Sequence, residues 1–227
     1  MPNHSNNLQK WISKNESNAI EKLIADIESK YPLEIVVAFT DRPALVPVAA
    51  ARMIALLALL LELLAEIFWW PVPAWIMGLV VFAFLMMPIG QWQSNLLFRI
   101  LSRSPEKQAS ISAQAEVCFN ELGLARTKAR NALLVFFNMK ERTFHLLPDR
   151  TIHKEWPEFK MDVIAETLNS RLNAKESPGV AALHLLERVR ILAQERWPEF
   201  SPSDKVDELP NAIAWWDGSS VKKGPSA

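Results

Sequence analysis

Glu141, Arg142, Asp149 and Arg150 form the cluster of acids and arginines in which chemistry can first be sought. Carboxylates hold Mg or Ca through oxygen, and an arginine fork grips a phosphate with two parallel hydrogen bonds. The chemistry would be metal-assisted hydrolysis of a phosphate ester. Glu141 and Asp149 would serve as metal ligands or acid, with Arg142 on the phosphate. Against this stands a plainer reading, preferred here, in which the charges solvate turns and one ion pair orients a loop.

Histidine is scarce, at positions 4, 145, 153 and 184. His145 and His153 are not at the i, i+4 helix spacing of a zinc pair, and His184 reads as a surface or boundary residue of a helix. Cys118, the single cysteine, excludes an intramolecular disulfide and reads as a buried structural thiol. There is no Gly-x-Ser-x-Gly elbow, Walker loop or Gly-x-Gly-x-x-Gly run, so acyl transfer, nucleotide hydrolysis and dinucleotide chemistry lose their usual signals. A divalent metal is therefore the one cofactor the residues leave open.

The 227 residues carry 25 basic and 25 acidic side chains, a balance that argues against nucleic acid as a partner. Half of the chain is hydrophobic, and the apolar residues are unevenly spread. From Ile67 to Phe98 there is no Asp, Glu, Lys or Arg. Residues 44–93 offer two apolar lengths of the roughly 20 residues a spanning helix needs, separated by Pro71, Val72 and Pro73. The expectation is a two-helix transmembrane hairpin. Trp69, Trp70 and Trp75 would sit at one interface and Trp92 at the other, with lipid around them. Arg42 and Arg52, preceding the first span, and Arg99, Arg103 and Lys107, following the second, predict both termini on the cytoplasmic side of a bacterial inner membrane. Glu62 and Glu66, four apart on one face, read as a helix–helix or partner contact rather than a proton site.

Four regions follow: the first part of a cytoplasmic domain at 1–43, the hairpin at 44–93, the second part at 94–200, and a tail at 201–227. Ile20, Leu23, Ile24 and Ile27 predict a helix over 15–30 capped by Asn15 or Ser17, and Leu33 to Phe39 a strand buried on both faces. Ser104 and Pro105 open a helix that Gly123 stops. Asn131 to Phe137 and Thr143 to Leu147 read as two strands around a polar turn. Helices are expected over 159–172 and 180–196, the second with Leu183, Leu186, Val189 and Leu192 near one face. The fold class is α/β, a small sheet sandwiched by helices and interrupted by the hairpin. Trp215 and Trp216 in the tail either cover a groove of their own domain or meet a partner, the first being preferred.

The stretch 122–153, Leu-Gly-Leu-Ala-Arg-Thr-Lys-Ala-Arg-Asn-Ala-Leu-Leu-Val-Phe-Phe-Asn-Met-Lys-Glu-Arg-Thr-Phe-His-Leu-Leu-Pro-Asp-Arg-Thr-Ile-His, resembles the TPM domain family. On that resemblance Glu141, Arg142, Asp149 and Ile152 occupy family positions. The opening helix with Glu34-Ile-Val-Val and the run Asp207-Glu-Leu-Pro-Asn are similar to further family segments. Thr151 stands where the family usually has Gly, and Tyr31 and Pro32 where it usually has Thr-Gly. The resemblance implies an α/β module, with two kinds of activity among relatives: metal-dependent phosphatase, or auxiliary subunit of a membrane complex. The expected function is a membrane-anchored, non-enzymatic accessory or assembly factor of a membrane protein complex. A metal-dependent acid phosphatase is the alternative, and a homo-oligomer is compatible with either.

Overall fold

Two continuous apolar runs make the centre of the sheet. The computed structural model describes residues 11–44, 104–156, 176–198, 213–218 and 221–223, with positions 51, 52, 54–56, 58–60, 62, 63 and 164. They fall into two units, one of Met1–Arg42 and Ile111–Ala227, the other of Pro43–Ser110. In the first unit, β1 (Glu34–Thr40) and β2 (Ala132–Asn138) are buried at every position and pair in parallel, Glu34 with Ala132 through Thr40 with Asn138. Strands enclosed on both faces need apolar side chains at consecutive positions, which is why neither run alternates.

A third strand, β3 (Thr143–Pro148), returns antiparallel to β2 on one flank. On the other flank β4 (Ala214–Trp216) lies parallel to β1, and β5 (Val221–Lys223) pairs antiparallel with β4. The order β3-β2-β1-β4-β5 places the first strand of the sequence in the middle. Neither β4 nor β5 follows from sequence periodicity, because three residues are too few to show a period. The tryptophan pair folds back on its own domain, as preferred, with both rings buried. It is a strand, with Trp215 in register with Phe39 on one face of the sheet and Trp216 on the opposite face.

The first face is closed by two long helices. Helix α1 (Lys14–Lys30) starts earlier than either Asn15 or Ser17 as cap would allow. Ser13 is the cap: its hydroxyl accepts from Glu16 N at 3.2 Å, and the Glu16 carboxylate accepts from Ser13 N at 2.7 Å. This reciprocal box satisfies donors that the first helical turn leaves open. Ile20, Ile24 and Ile27 turn inward, fully buried. Further along, α2 (Ser104–Glu121) ends before Gly123, whose φ of 74° suits a residue without Cβ. A six-residue helix, α3 (Arg150–Glu155), capped by Asp149, is absent from the sequence expectation.

The second long helix of the first face, α4 (Pro178–Arg196), buries Ala181, Ala182, Leu185, Leu186, Val189 and Ala193. The inward face therefore differs from the expected one: Leu183 and Leu192 are only partly buried at its margin. The Ser177 hydroxyl, at the cap of α4, donates to Glu16 Oε1 at 2.6 Å. A Cβ on Gly179 would meet Glu16 Cδ at 2.7 Å, so glycine is what lets the two helix starts approach. Glu16 thus caps α1 and ties α4 to it.

Between the helices and the sheet, a row of aromatic side chains crosses adjacent strands. Phe39 stacks on its register partner Phe137 with centroids 4.9 Å apart, and Phe137 meets its own partner Phe144 at 5.6 Å. On the second face α2 is registered by side-chain hydrogen bonds to three strands. Ser112 Oγ lies 3.3 Å from His145 Nε2, Asn138 Nδ2 donates to Gln114 Oε1 at 3.2 Å, and Trp216 Nε1 donates to Glu121 Oε2 at 2.7 Å. The Trp216 ring also meets Phe136 edge-on at 5.7 Å. The first unit is an α/β sandwich with helices on both faces.

The transmembrane hairpin is corrected. Among the described residues no helix is long and apolar enough to cross a membrane. The fold class therefore loses its interrupting hairpin, and the two-pass inner-membrane placement with both termini cytoplasmic loses its support. An apolar run shows what a helix could do, whereas a span also needs one helix continuous over the full hydrocarbon thickness. Most of 44–93, with Glu66, Trp69, Trp70, Trp75 and Trp92, lies outside the described residues, as does nearly all of the helix expected over 159–172.

Two outcomes follow from the first-face packing. Phe137→Ala lowers the unfolding free energy by about 3–5 kcal/mol in urea denaturation, the usual cost of emptying a buried phenyl site. For Glu16, burial raises the carboxyl pKa, but hydrogen bonds from Ser177 and Ser13 outweigh it and hold the group below its ordinary value of 4.5. Its stabilising contribution is complete above that ordinary value and fades as pH falls through the lower folded one. The stability gap between wild type and Glu16→Gln, read by thermal melts, should accordingly narrow in acid.

Candidate functional site

In open sheets with parallel strands, ligands collect outside the carboxyl ends, where the strand order reverses. Here the order reverses at β1. The chain leaves β1 for β2 on one side and later returns to β4 on the other. The residues that follow these strands, Asp41 and Arg42 after β1 and Asp217 and Gly218 after β4, border that reversal. The turn 139–142 after β2 completes the edge.

Asn138, 1 % exposed, holds this edge together. Its Nδ2 donates to the Arg42 carbonyl at 2.8 Å as well as to Gln114, and its Oδ1 accepts from Glu141 N at 3.0 Å. One amide thus fixes the exit from β1, the β2–β3 turn and α2. A buried polar residue is tolerable because its partners replace water. Beside it the fully buried Thr40 accepts from Arg42 N through Oγ1 at 3.2 Å, and Met139 N donates to the Thr40 carbonyl at 2.8 Å. Arg142 closes the turn with a φ of 52°, a left-handed conformation uncommon outside glycine and asparagine.

Arg42 itself is exposed, and its guanidinium lies against Gly218. A Cβ at position 218 would fall within the guanidinium group, and the φ of 89° there also favours glycine.

The acids that the metal-assisted alternative would bring together are separated. Glu141 and Arg142 belong to the turn before β3, whereas Asp149 follows its last residue. Six extended residues span about 20 Å, too far for one metal to join the two carboxylates. Asp149 is buried at the opposite edge, where Oδ1 accepts from Arg150 N at 2.7 Å and stands 3.8 Å from Arg130 Nη1. Its role there is to cap α3 and to hold the 129–132 segment, since Asp149 N donates to the Ala132 carbonyl at 2.8 Å. Among the described residues no group of three or more His, Cys, Asp or Glu side chains could hold a metal ion.

Burial, with a smaller push from the Glu121 charge, raises the Cys118 thiol to about 12. That agrees with a structural cysteine. His184 is half-exposed, its Nε2 3.6 Å from Glu176. Glu62 is exposed on a helical stretch of the second unit. In the same stretch Arg52 grips Glu106 with two hydrogen bonds, 2.7 and 3.1 Å, instead of reaching for a membrane surface. Sequence reasoning missed Asn138, Gly218 and the Ser112–His145 contact. Gly218 had a legible signal, a glycine closely following an aromatic pair, whereas the other two arise from tertiary register.

No family model matches the chain, and no curated protein matches it. Among solved structures, it is similar to the NMR structure of the BA42 protein from the psychrophilic bacterium Bizionia argentinensis, with a TM-score of 0.55 and 14% sequence identity. The likeness covers 91% of this chain and 96% of that one. At such identity it shows the fold alone.

Replacing Asn138 by alanine removes its hydrogen bonds to the Arg42 carbonyl and from Glu141 N. The expected loss is about 2–4 kcal/mol in urea denaturation, as for a buried network left half satisfied. Cys118 should resist iodoacetamide at neutral pH in the native protein and react promptly in denaturant, read by mass spectrometry.

Proposed function

We propose that this protein is a non-enzymatic accessory or assembly factor that docks on another protein. The observation that carries the reading lies in the second unit. Leu56, Leu59, Leu60 and Leu63 follow the i, i+3, i+4, i+7 spacing of one helix face, and each is more than half exposed. Four leucines facing water along one stripe are costly, and such a stripe suits the groove or apolar stripe of a partner helix. The bidentate Arg52–Glu106 pair fixes the start of that stretch within its own unit, which lowers the ordering cost of docking. The TPM resemblance of 122–153 belongs to the same reading, through those relatives that work as auxiliary subunits. The phosphatase alternative draws no comparable support, since its two acids stand at opposite edges of the sheet.

The test is a native affinity purification of the tagged full chain, beside a Leu59→Asp, Leu60→Asp double variant. A stoichiometric partner that copurifies with wild type and is lost from an equally stable variant is the expected result. A partner retained by the variant, or a partner-free wild type, overturns the proposal.

A further inference from the structure

The carboxyl edge of the sheet carries a feature that the leucine stripe does not use. Arg42 leaves the central strand at the point of strand reversal, and its guanidinium rests on Gly218, at the exit of the neighbouring parallel strand. The placement is built from both sides. Below, Thr40 and the fully buried Asn138 hold the Arg42 backbone through its N–H and its carbonyl. Above, position 218 has no side chain, and any Cβ would occupy the space the guanidinium fills. A long, exposed arginine normally samples many rotamers, and a flat seat of this kind reduces that freedom. A guanidinium is a planar fork, the geometry that binds an oxyanion through two parallel hydrogen bonds, and the Arg42 side chain that carries it is exposed.

We infer that Arg42, seated on Gly218 at the carboxyl edge of β1 and β4, is the anion-recognising residue of a small-molecule subsite for a phosphate or carboxylate group. The two oxyanions share the chemistry of the fork, and the probes below separate them. Asp41 adjoins Arg42 in the chain, so a ligand that carries hydroxyl or ammonium donors beside its oxyanion is favoured over a bare polyanion. Gly218 is a positioning residue in this scheme, because it sets where the guanidinium lies without touching the ligand.

The experiment is an NMR titration of the full chain with inorganic phosphate and, separately, with acetate, at constant ionic strength. Saturable shifts at the amides of Arg42, Asp217 and Gly218 with either anion are expected, and the anion that saturates names the ligand's oxyanion. Arg42→Gln should weaken that binding by about tenfold or more, and Arg42→Lys, which keeps the charge but loses the fork, by a smaller factor. Gly218→Ala should weaken it with the arginine still present, which a role of charge alone would not produce. If the alanine variant does not fold because of its positive φ, the two Arg42 variants decide the matter, since that side chain is exposed. Shifts that do not saturate with either anion, or that saturate equally in Arg42→Gln, overturn the inference.

Discussion

β1 is enclosed on every side, with β2 and β4 hydrogen-bonded along its two edges and helices over both faces. Every polar group it carries must find its partner inside the protein, and every side chain must fit a space set by others. Glu34 pairs in register with Ala132 at one end and Thr40 with Asn138 at the other, so a slip of one residue would turn the whole strand inside out. The Phe39–Phe137–Phe144 row and the Asn138 knot both depend on that single register. The burial of β1 is thus the constraint from which the remaining arrangement follows.

The two faces meet this constraint differently. Apolar volume closes the first, with isoleucines from α1 and alanines and leucines from α4 against the odd-numbered side chains of β1 and β2. Polar registration supplements the second, where Ser112, Gln114 and Glu121 reach His145, Asn138 and Trp216 on three strands. Hydrophobic burial is non-directional, so it drives the helices onto the sheet without choosing an angle. Hydrogen bonds have geometry, and three of them along one helix set where α2 lies. Glu16 does similar work between α1 and α4, where its carboxylate is shared by two helix starts.

The same division separates fold from function. Fold resides in the enclosed first unit, and the chain's likeness to a solved structure at 14% identity speaks to fold alone. The functional proposals rest on side chains that the core does not consume: a stripe of leucines left facing water, and an arginine laid on a glycine at the sheet's carboxyl edge. Asp149, the weak candidate for a metal ligand or acid, is absorbed by structure as a helix cap, and Cys118 is buried, in line with its reading as a structural thiol.

From the amino-acid order alone came the α/β class, the first three strands and three of the long helices, because apolar runs and helical spacing are local signals strong enough to read. The strand status of Ala214–Trp216 was decided by a tertiary partner distant in sequence, whereas the short helix after Asp149 and the cap at Ser13 turn on the geometry of single side chains close in sequence. The membrane hairpin marks a limit of hydropathy, which reports how much a segment avoids water and not the length of any one helix, and among the described residues no helix is long and apolar enough to cross a membrane. Glu141 and Asp149 look like neighbours along the chain and are set apart by the length of β3, whereas Arg42 and Gly218 are brought together from nearly opposite ends. Distance in an extended strand grows by about 3.3 Å per residue, and sheet pairing erases sequence separation, so which candidate residues come together belonged to the topology and not to the spacing.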